Sequence, residues 1–453
     1  MPERIVQCHG CFDLLHLGHI RHFEAARKSG DFLIVTITPD RFVNKGRYRP
    51  VFQDVQRAEA VRALKCVDEV RITDSPTAAD AIREIRPAVF AKGPDYRAET
   101  LDPGERQALA DVGAELLITD TQKWSSTALI TQESLPTEAR DYLANLRQTY
   151  TASEVKGWLY KTRALKVLVI GDAIQDEYVY VNSLGKSGKD PMPAVQKVSE
   201  EAFDGGAYAV SEHVKACTDA VRFVTGPVTV KRRFIERYPF QKLFEVYEMD
   251  EYKANDETPW LLETLPDELS QADLVIVADY GHGLLTPDVI GLISHGAKYL
   301  AVNTQANAGN HGYNTISKYD GGRVSFVSLS ERELRLDTRD QRGDVEALAK
   351  PLAIAHAGTV LITRGEKGCL AVKRLQQAVE TTKAPALTTH AVDRTGAGDA
   401  VFAITACLAA VGMPLDLLTF MASVVGTQAV GIVGNARYIE RQSLVAAVES
   451  YLS

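Results

Sequence analysis

The segment GCFDLLHLGHI, residues 10–20, constrains the fold of this chain more than any other. An apolar strand, Ile5 to Cys8, runs through a Gly-punctuated turn into His16, Leu17, Gly18 and His19 at the start of an amphipathic stretch, Gly18 to Ser29. A second apolar run, Phe32 to Thr38, follows at once. This is a βαβ unit, and it commits the first part of the chain to a parallel sheet. The alternation continues with a helical pattern from Val55 to Leu64, a short strand at Glu69 to Ile72, a helix around Ala78 to Ile85 and strands near Val89 and Leu116, closing near Ile130.

At 453 residues the chain has room for two or three domains, given about 100–200 residues each. Pro136 to Arg163 carries Glu, Arg, Lys, Leu and Tyr at helical spacing, starts on Pro136, lies between two strand-rich patterns, and reads as a helical linker, 132–163. A new α/β run opens with KVLVIG, Lys166 to Gly171, and continues through strands at Leu274–Val277, Tyr299–Val302, Val324–Val327 and Thr359–Thr363. The expected organisation is therefore an α/β domain over 1–131, the linker, and a second α/β domain over 164–453.

Composition narrows the classes of function. With 45% hydrophobic and 24% charged residues the sequence is that of a soluble globular protein. A net charge of −8 and the lack of a long Lys/Arg run argue against a nucleic-acid ligand. The first twenty residues lack the pattern of a signal peptide, and no apolar run reaches the ~18–20 residues that span a bilayer, so no membrane partner is expected. Six scattered cysteines, Cys8, Cys11, Cys66, Cys217, Cys369 and Cys407, suit a reducing cytoplasm rather than a disulfide framework. CHGC at Cys8 to Cys11 has no second Cys pair to complete a zinc site.

The chemistry of the first domain centres on phosphate. His16 and His19 at a helix N-terminus join backbone N–H groups and the positive end of the helix dipole, and Gly18 admits a close nucleotide. Further on, KWSSTALI places Ser125, Ser126 and Thr127 ahead of another helical stretch, where hydroxyls and amides suit a triphosphate. Four segments together resemble the nucleotidyltransferase family of glycerol-3-phosphate cytidylyltransferase and the adenylyltransferase half of bifunctional ADP-heptose synthesis proteins. They are HLGH, Lys45 in RFVNKG, Arg57 in VQRAEAVRAL, and Trp124 to Thr127; AKGPDY, with Lys92, Gly93 and Asp95, adds to them. Class I aminoacyl-tRNA synthetases share an HxGH signature, but this chain has no KMSKS-like loop.

The resemblance implies a Rossmann-like domain in which a substrate phosphate oxygen attacks the α-phosphate of ATP or CTP, releasing pyrophosphate without a covalent enzyme intermediate. It implies catalytic roles for His16, His19 and Lys45, and nucleotide contacts from Gly10, Phe12, Gly18, Arg57, Lys92, Ser125, Ser126 and Thr127. Asp13 is expected either at the substrate and its magnesium ion or as a helix cap.

In the second domain VDRTGAGDAVFA sets Gly396, Ala397 and Gly398 at the start of a long apolar helix, with Asp399 beside any anion held there. A carboxylate so placed can take a proton from a substrate hydroxyl while the amides hold a phosphate. The segment DxTGAGD, with Asp393, Thr395 and Asp399, resembles the signature of the ribokinase-like sugar kinases, the PfkB family. GDAIQDEY, with Asp172 and Asp176, and FDGGAYAV, with Gly205 and Gly206, look like its sugar-binding segments. TRGEKG, with Thr363, Gly365 and Gly368, looks like its nucleotide loop, and ADYGHGLL is similar to the DYxKG segment of heptose phosphate kinases. There are departures: Val210 stands where GGAxxN has Asn, and Ser330 where the magnesium-linked NxxE has Asn, although Glu333 keeps the Glu as a candidate metal ligand. VRFVTG runs within a few residues into VTVKRRF, so the domain reads as trimmed. GKSG at Gly185 to Gly188 lacks the spacing of a P-loop.

The two resemblances together imply consecutive steps of nucleotide-sugar synthesis, with the domain order reversed from the ADP-heptose synthesis protein. A sugar or sugar phosphate is phosphorylated, then activated with a nucleotide, with Mg²⁺ serving both sites. The alternative is a working transferase, acting on glycerol or polyol phosphate, that carries a catalytically silent kinase-like module for binding or dimerisation. A homodimer is compatible with exposed strand edges.

Overall fold

In the computed structural model the described residues are 4–43, 50–93, 96, 101–120, 135–238, 240–248, 258–376, 378–388 and 390–452. The chain divides into two compact units, Met1–Glu133 and Ser134–Ser453.

In the first unit the described strands are β1 (Ile5–Gly10), β2 (Phe32–Ile37), β3 (Glu69–Ile72), β4 (Val89–Lys92) and β5 (Glu115–Ile118). They form one sheet of order β3-β2-β1-β4-β5, with every neighbouring pair parallel. β1 and β2 are buried almost throughout, as the strands at the centre of a parallel sheet covered on both faces are. The helix α1 (Leu17–Arg27) follows β1 and buries Phe23 and Ala26. Chain order reverses direction at β1, between β2 and β4, and the crevice beyond the carboxyl ends of such strands is where a doubly wound sheet binds its ligand. HLGH opens on that crevice.

The second unit contains β6 (Val167–Gly171), β7 (Ala173–Lys186), β8 (Pro193–Gly206), β9 (Val221–Val224), β10 (Thr229–Glu236), β11 (Gln241–Glu248), β12 (Leu274–Asp279), β13 (Leu300–Thr304), β14 (Val324–Ser330), β15 (Ala357–Thr363), β16 (Cys369–Arg374) and β17 (Val379–Ala384). Among the described residues eight of these make a large sheet of order β17-β16-β15-β14-β13-β12-β6-β9, parallel except for β16 and β17. Its two faces carry separate cores. On β6, Val167 and Val169 point into one, while Leu168 and Ile170 point into the other, as strand alternation dictates. β11-β10-β7-β8 form a second, smaller sheet, here termed the lid. The stretch read as trimmed supplies β9 at the edge of the large sheet and, four residues later, the lid strand β10.

The segment read as a linker folds as two helices, Thr137–Thr149 and Ala152–Lys161. Leu135, Ala139, Leu143, Leu146, Val155 and Leu159 are buried in the core of the second unit. Arg147 donates from Nε and Nη2 to the carbonyl of Tyr451 at 2.9 and 2.8 Å, tying these helices to the C-terminal helix Arg441–Leu452. Their apolar stripe therefore belongs to the second unit's packing and does not stand free between units.

Candidate active sites

In the first unit the turn between β1 and α1 is tight. Phe12 and Leu14 both adopt left-handed backbone, φ 47° and 52°, which costs non-glycine residues energy and is tolerated at functional turns. Gly10 makes room for this: a Cβ there would lie 3.1 Å from the Phe12 ring. That ring, itself buried, packs edge-on against His19 at 5.4 Å and Phe23 at 4.8 Å. His16 and His19 stack with ring centroids 3.8 Å apart.

His16 is the N-cap of α1, its Nδ1 accepting from the Gly18 amide at 3.1 Å. An imidazole nitrogen that accepts carries no proton, so the neutral ring bears its proton on Nε2. That Nε2 is buried and has no partner among the described residues. Burial lowers the His16 pKa, so the ring is neutral at pH 7 and presents one N–H donor beside a helix N-terminus.

The remaining expected residues divide. Lys45, Asp95, Ser125, Ser126 and Thr127 lie outside the described residues. Asp13 accepts from the amides of Val51 and Phe52 at 2.9 and 3.1 Å, so its carboxylate holds a neighbouring loop. Arg57, expected at the nucleotide, is only 1% exposed. It donates to the carbonyls of Cys11, Thr38 at 2.8 Å and Phe52 at 3.0 Å, and pairs with Asp40 at 2.7 Å. Its donors are spent on bracing the ends of β1 and β2. Arg57→Met is expected to cost more than about 2 kcal/mol of stability, because buried acceptors lose their donor; urea unfolding measures it.

Lys92, at the end of β4, is buried and paired with Glu105 at 3.2 Å, and it lies 4.8 Å from the centre of the Tyr96 ring. Two histidines flank the same crevice without having been singled out in the sequence. His9 bonds Thr36 and Thr38, and His22 bonds Thr119 at 2.8 Å. Burial, assisted by the Lys92 charge, holds their pKa values near about 3 and about 4, so both are neutral. Only the local burial, not their spacing, marks them.

In the second unit five of the expected nucleotide residues, Thr363, Gly365, Gly368, Ala397 and Gly398, line one cavity of about 210 Å³, together with Ala422, Ser423 and Gly426. Small side chains keep it open. Gly368 has φ 76°, and a Cβ there would meet the Ala384 carbonyl at 2.0 Å. Gly396, φ 74°, caps the helix Ala397–Ala410, and a Cβ there would strike Asn435 at 2.3 Å.

Asp399 sits buried in the first turn of that helix. Its Oδ1 accepts from the Tyr280 hydroxyl at 2.7 Å and from Gln305 Nε2 at 2.6 Å, which orients Oδ2 without occupying it. Burial, with the Asp176 charge adding to it, raises the Asp399 pKa to about 7. A carboxylate with that pKa accepts a proton near neutrality and works better as a base than an ordinary aspartate.

Asp176 is buried and paired with Arg233 of β10. Gly205 lies against it, since a Cβ there would approach Asp176 Oδ2 to 2.5 Å, and Gly206, φ 61°, would meet the Asp172 carbonyl at 2.5 Å. Asp172, expected at the sugar, instead accepts from the amides of Tyr280 and His282 at 3.0 and 3.3 Å, and so shapes the turn that carries Tyr280. Burial raises its pKa to about 6. Val210 is fully buried in the core, contributing no polar atom to the pocket. Glu333 closes a capping box with Ser330: its carboxylate accepts from the Ser330 amide at 2.7 Å and the Ala306 amide at 3.2 Å. Ser in place of Asn thus makes a helix cap. Asp393, held low at about 2 despite its burial, chiefly by Lys242 and backbone amides, ties the lid strand β11 to the TGAGD turn.

Comparison with known proteins separates the two units in the same way. Residues 8–131 match the cytidylyltransferase-like family model and residues 250–439 match the pfkB family carbohydrate kinase model. The chain joins these two domains. The N-terminal, cytidylyltransferase-like part is 46% identical over 119 residues to the bifunctional protein HldE of Methylobacillus flagellatus, a match covering 24% of each chain. It is 48% identical over 96 residues to HldE of Koribacter versatilis, covering 21% of this chain and 20% of that one. The matches thus span about a quarter or less of these relatives' length. The pfkB domain shares its fold with phosphofructokinase-2 of Escherichia coli in complex with potassium, at 13% identity and a TM-score of 0.50 over 64% of this chain and 99% of that one. No helix among the described residues is long and apolar enough to cross a membrane.

Proposed function

We propose that this chain carries two active sites of nucleotide-sugar synthesis, a sugar kinase in the pfkB domain and a nucleotidyltransferase in the cytidylyltransferase-like domain. The observation that carries the reading is Asp399, a buried carboxylate oriented by Tyr280 and Gln305 at a helix start whose Ala397 and Gly398 line the same cavity as Thr363, Gly365 and Gly368. A silent module would have no need of such a base, which favours an active kinase over a binding or dimerisation role.

In the kinase step Asp399 takes the proton of a sugar hydroxyl. The hydroxyl oxygen bonds to the γ-phosphorus of ATP while the bond to the bridging oxygen breaks, and ADP leaves with the electron pair. The amides at the start of Ala397–Ala410 stabilise the charge on the phosphoryl oxygens. In the transferase step an oxygen of the sugar phosphate attacks the α-phosphorus of ATP or CTP and pyrophosphate leaves, with the His16 Nε2–H and the α1 amides holding the charge that develops. By their motifs Lys45 is assigned to the substrate phosphate or the triphosphate, and Ser125, Ser126 and Thr127 to the triphosphate.

Among the described residues no group of three or more His, Cys, Asp or Glu side chains is placed to hold a metal ion, and Glu333 is committed to its cap. Magnesium would come bound to the nucleotide phosphates, whose charge it neutralises. A cytoplasmic, small-molecule setting fits this chemistry.

Incubating the protein with ATP or CTP, magnesium and a panel of heptose 7-phosphates, sugar 1-phosphates and glycerol 3-phosphate, with mass-spectrometric readout, tests the proposal. A bisphosphate and a nucleotide sugar are the products expected. Activation of pre-made 1-phosphates with no phosphorylation of any sugar would leave only the transferase. Phosphorylation should also rise with pH through about 7, since Asp399 works deprotonated; a kcat/KM profile flat from about pH 5 to pH 9 contradicts its role as base.

A further inference from the structure

The inner face of the lid holds a buried cation that the steps above do not use. Lys231 lies on β10, in register with Asp176 of β7 and Tyr247 of β11, and is 5% exposed. Among the described residues its ammonium makes no hydrogen bond or ion pair. It lies over two aromatic rings, 5.1 Å from the centre of Tyr247 and 5.6 Å from that of Tyr280, whose hydroxyl bonds Asp399. The acids around it have other partners: Asp176 and Glu245 pair with Arg233, and Asp399 bonds Tyr280 and Gln305. Beside it His282, 4% exposed, has neither ring nitrogen hydrogen-bonded, and burial together with the Lys231 charge keeps it neutral.

Removing an ammonium from water without a partner is costly, so such a group marks a place where a ligand supplies the missing charge. Here the ammonium lies over the ring whose hydroxyl bonds Asp399, close enough for its charge to act on that carboxylate, and an anion at that point is the phosphoryl group in transit. Resting on the kinase reading, we propose that Lys231 is a catalytic residue that holds the oxygens of the phosphoryl group as it passes from the nucleotide to the sugar hydroxyl at Asp399. The acceptor oxygen–phosphorus bond forms, the bond to the ADP oxygen breaks, the proton goes to Asp399, and Lys231 stays protonated throughout. Its positive charge offsets the charge spread over the oxygens in flight.

Calorimetric titration of the full chain with ADP and magnesium, with and without aluminium fluoride as a mimic of the phosphoryl group, tests this. In the wild type fluoride should tighten ADP binding about tenfold or more. Lys231→Met should keep the affinity for ADP alone and lose the tightening, and Lys231→Arg, the variant that preserves charge in the strand, should retain part of it. Equal tightening in wild type and Lys231→Met, or none in the wild type, overturns the assignment and leaves the kinase reading standing. A wild type that binds no ADP overturns both. Loss of affinity in Lys231→Met for the phosphorylated sugar of the panel above that the wild type consumes, with the tightening intact, would place Lys231 on the sugar's own anion, which also overturns the proposal.

Discussion

Asp399→Asn is expected to lower sugar phosphorylation by about 10²–10⁴-fold, the range lost when a positioned general base is removed, while pyrophosphate release by the other domain stays unchanged. The amide is nearly isosteric and still accepts from the Tyr280 hydroxyl and Gln305, so binding of ATP should change little and the loss should fall on kcat. The buried position even favours the neutral side chain, since burial is what lifts the Asp399 pKa to about 7. A stability at or above that of the wild type would separate lost chemistry from lost folding. Turnover at the wild-type rate would remove Asp399 from the mechanism.

His16→Ala is the counterpart in the first unit. It removes the Nε2–H donor at the mouth of α1 and the ring that stacks on His19 at 3.8 Å. Pyrophosphate release should fall by about 10²–10³-fold, as when one donor to a developing oxyanion is deleted. The same change removes an N-cap, which costs about 1 kcal/mol, so a small drop in unfolding midpoint accompanies a large drop in rate. Sugar phosphorylation should be unaffected. Unchanged pyrophosphate release would reject the role given to His16.

How much of this was legible in the sequence depended on the kind of signal. Glycines with positive φ or no room for a Cβ, such as Gly368 and Gly396, sit in motifs that read clearly, because backbone shape there admits no other residue. The apolar strands β1, β2, β6 and β12 were visible as short continuous runs between turns. The lid was not visible as a sheet: β8 is exposed over most of its length and β11 almost throughout, so neither shows the alternation that marks a half-buried strand. The helices from Thr137 to Lys161 read as a linker because helix-forming residues between two strand-rich patterns reveal helices without naming what they pack against. Charged residues misled for a similar reason. Arg57 lies in a motif that implies a ligand contact, yet its guanidinium is enclosed by main-chain carbonyls. Lys231 lies in no motif at all, and only its burial without a hydrogen bond or ion pair singles it out.

The central claim, two active sites acting in sequence on one sugar, is tested most directly by mixing the variants. His16→Ala and Asp399→Asn, each incubated with ATP, CTP, magnesium and the sugar phosphate that the wild type consumes, should yield no nucleotide sugar from that substrate on their own. Combined in one reaction they should restore it, the first supplying the phosphorylated intermediate and the second consuming it. A mixture as inactive as the separate variants, or an Asp399→Asn variant that makes the nucleotide sugar unaided, would contradict the account.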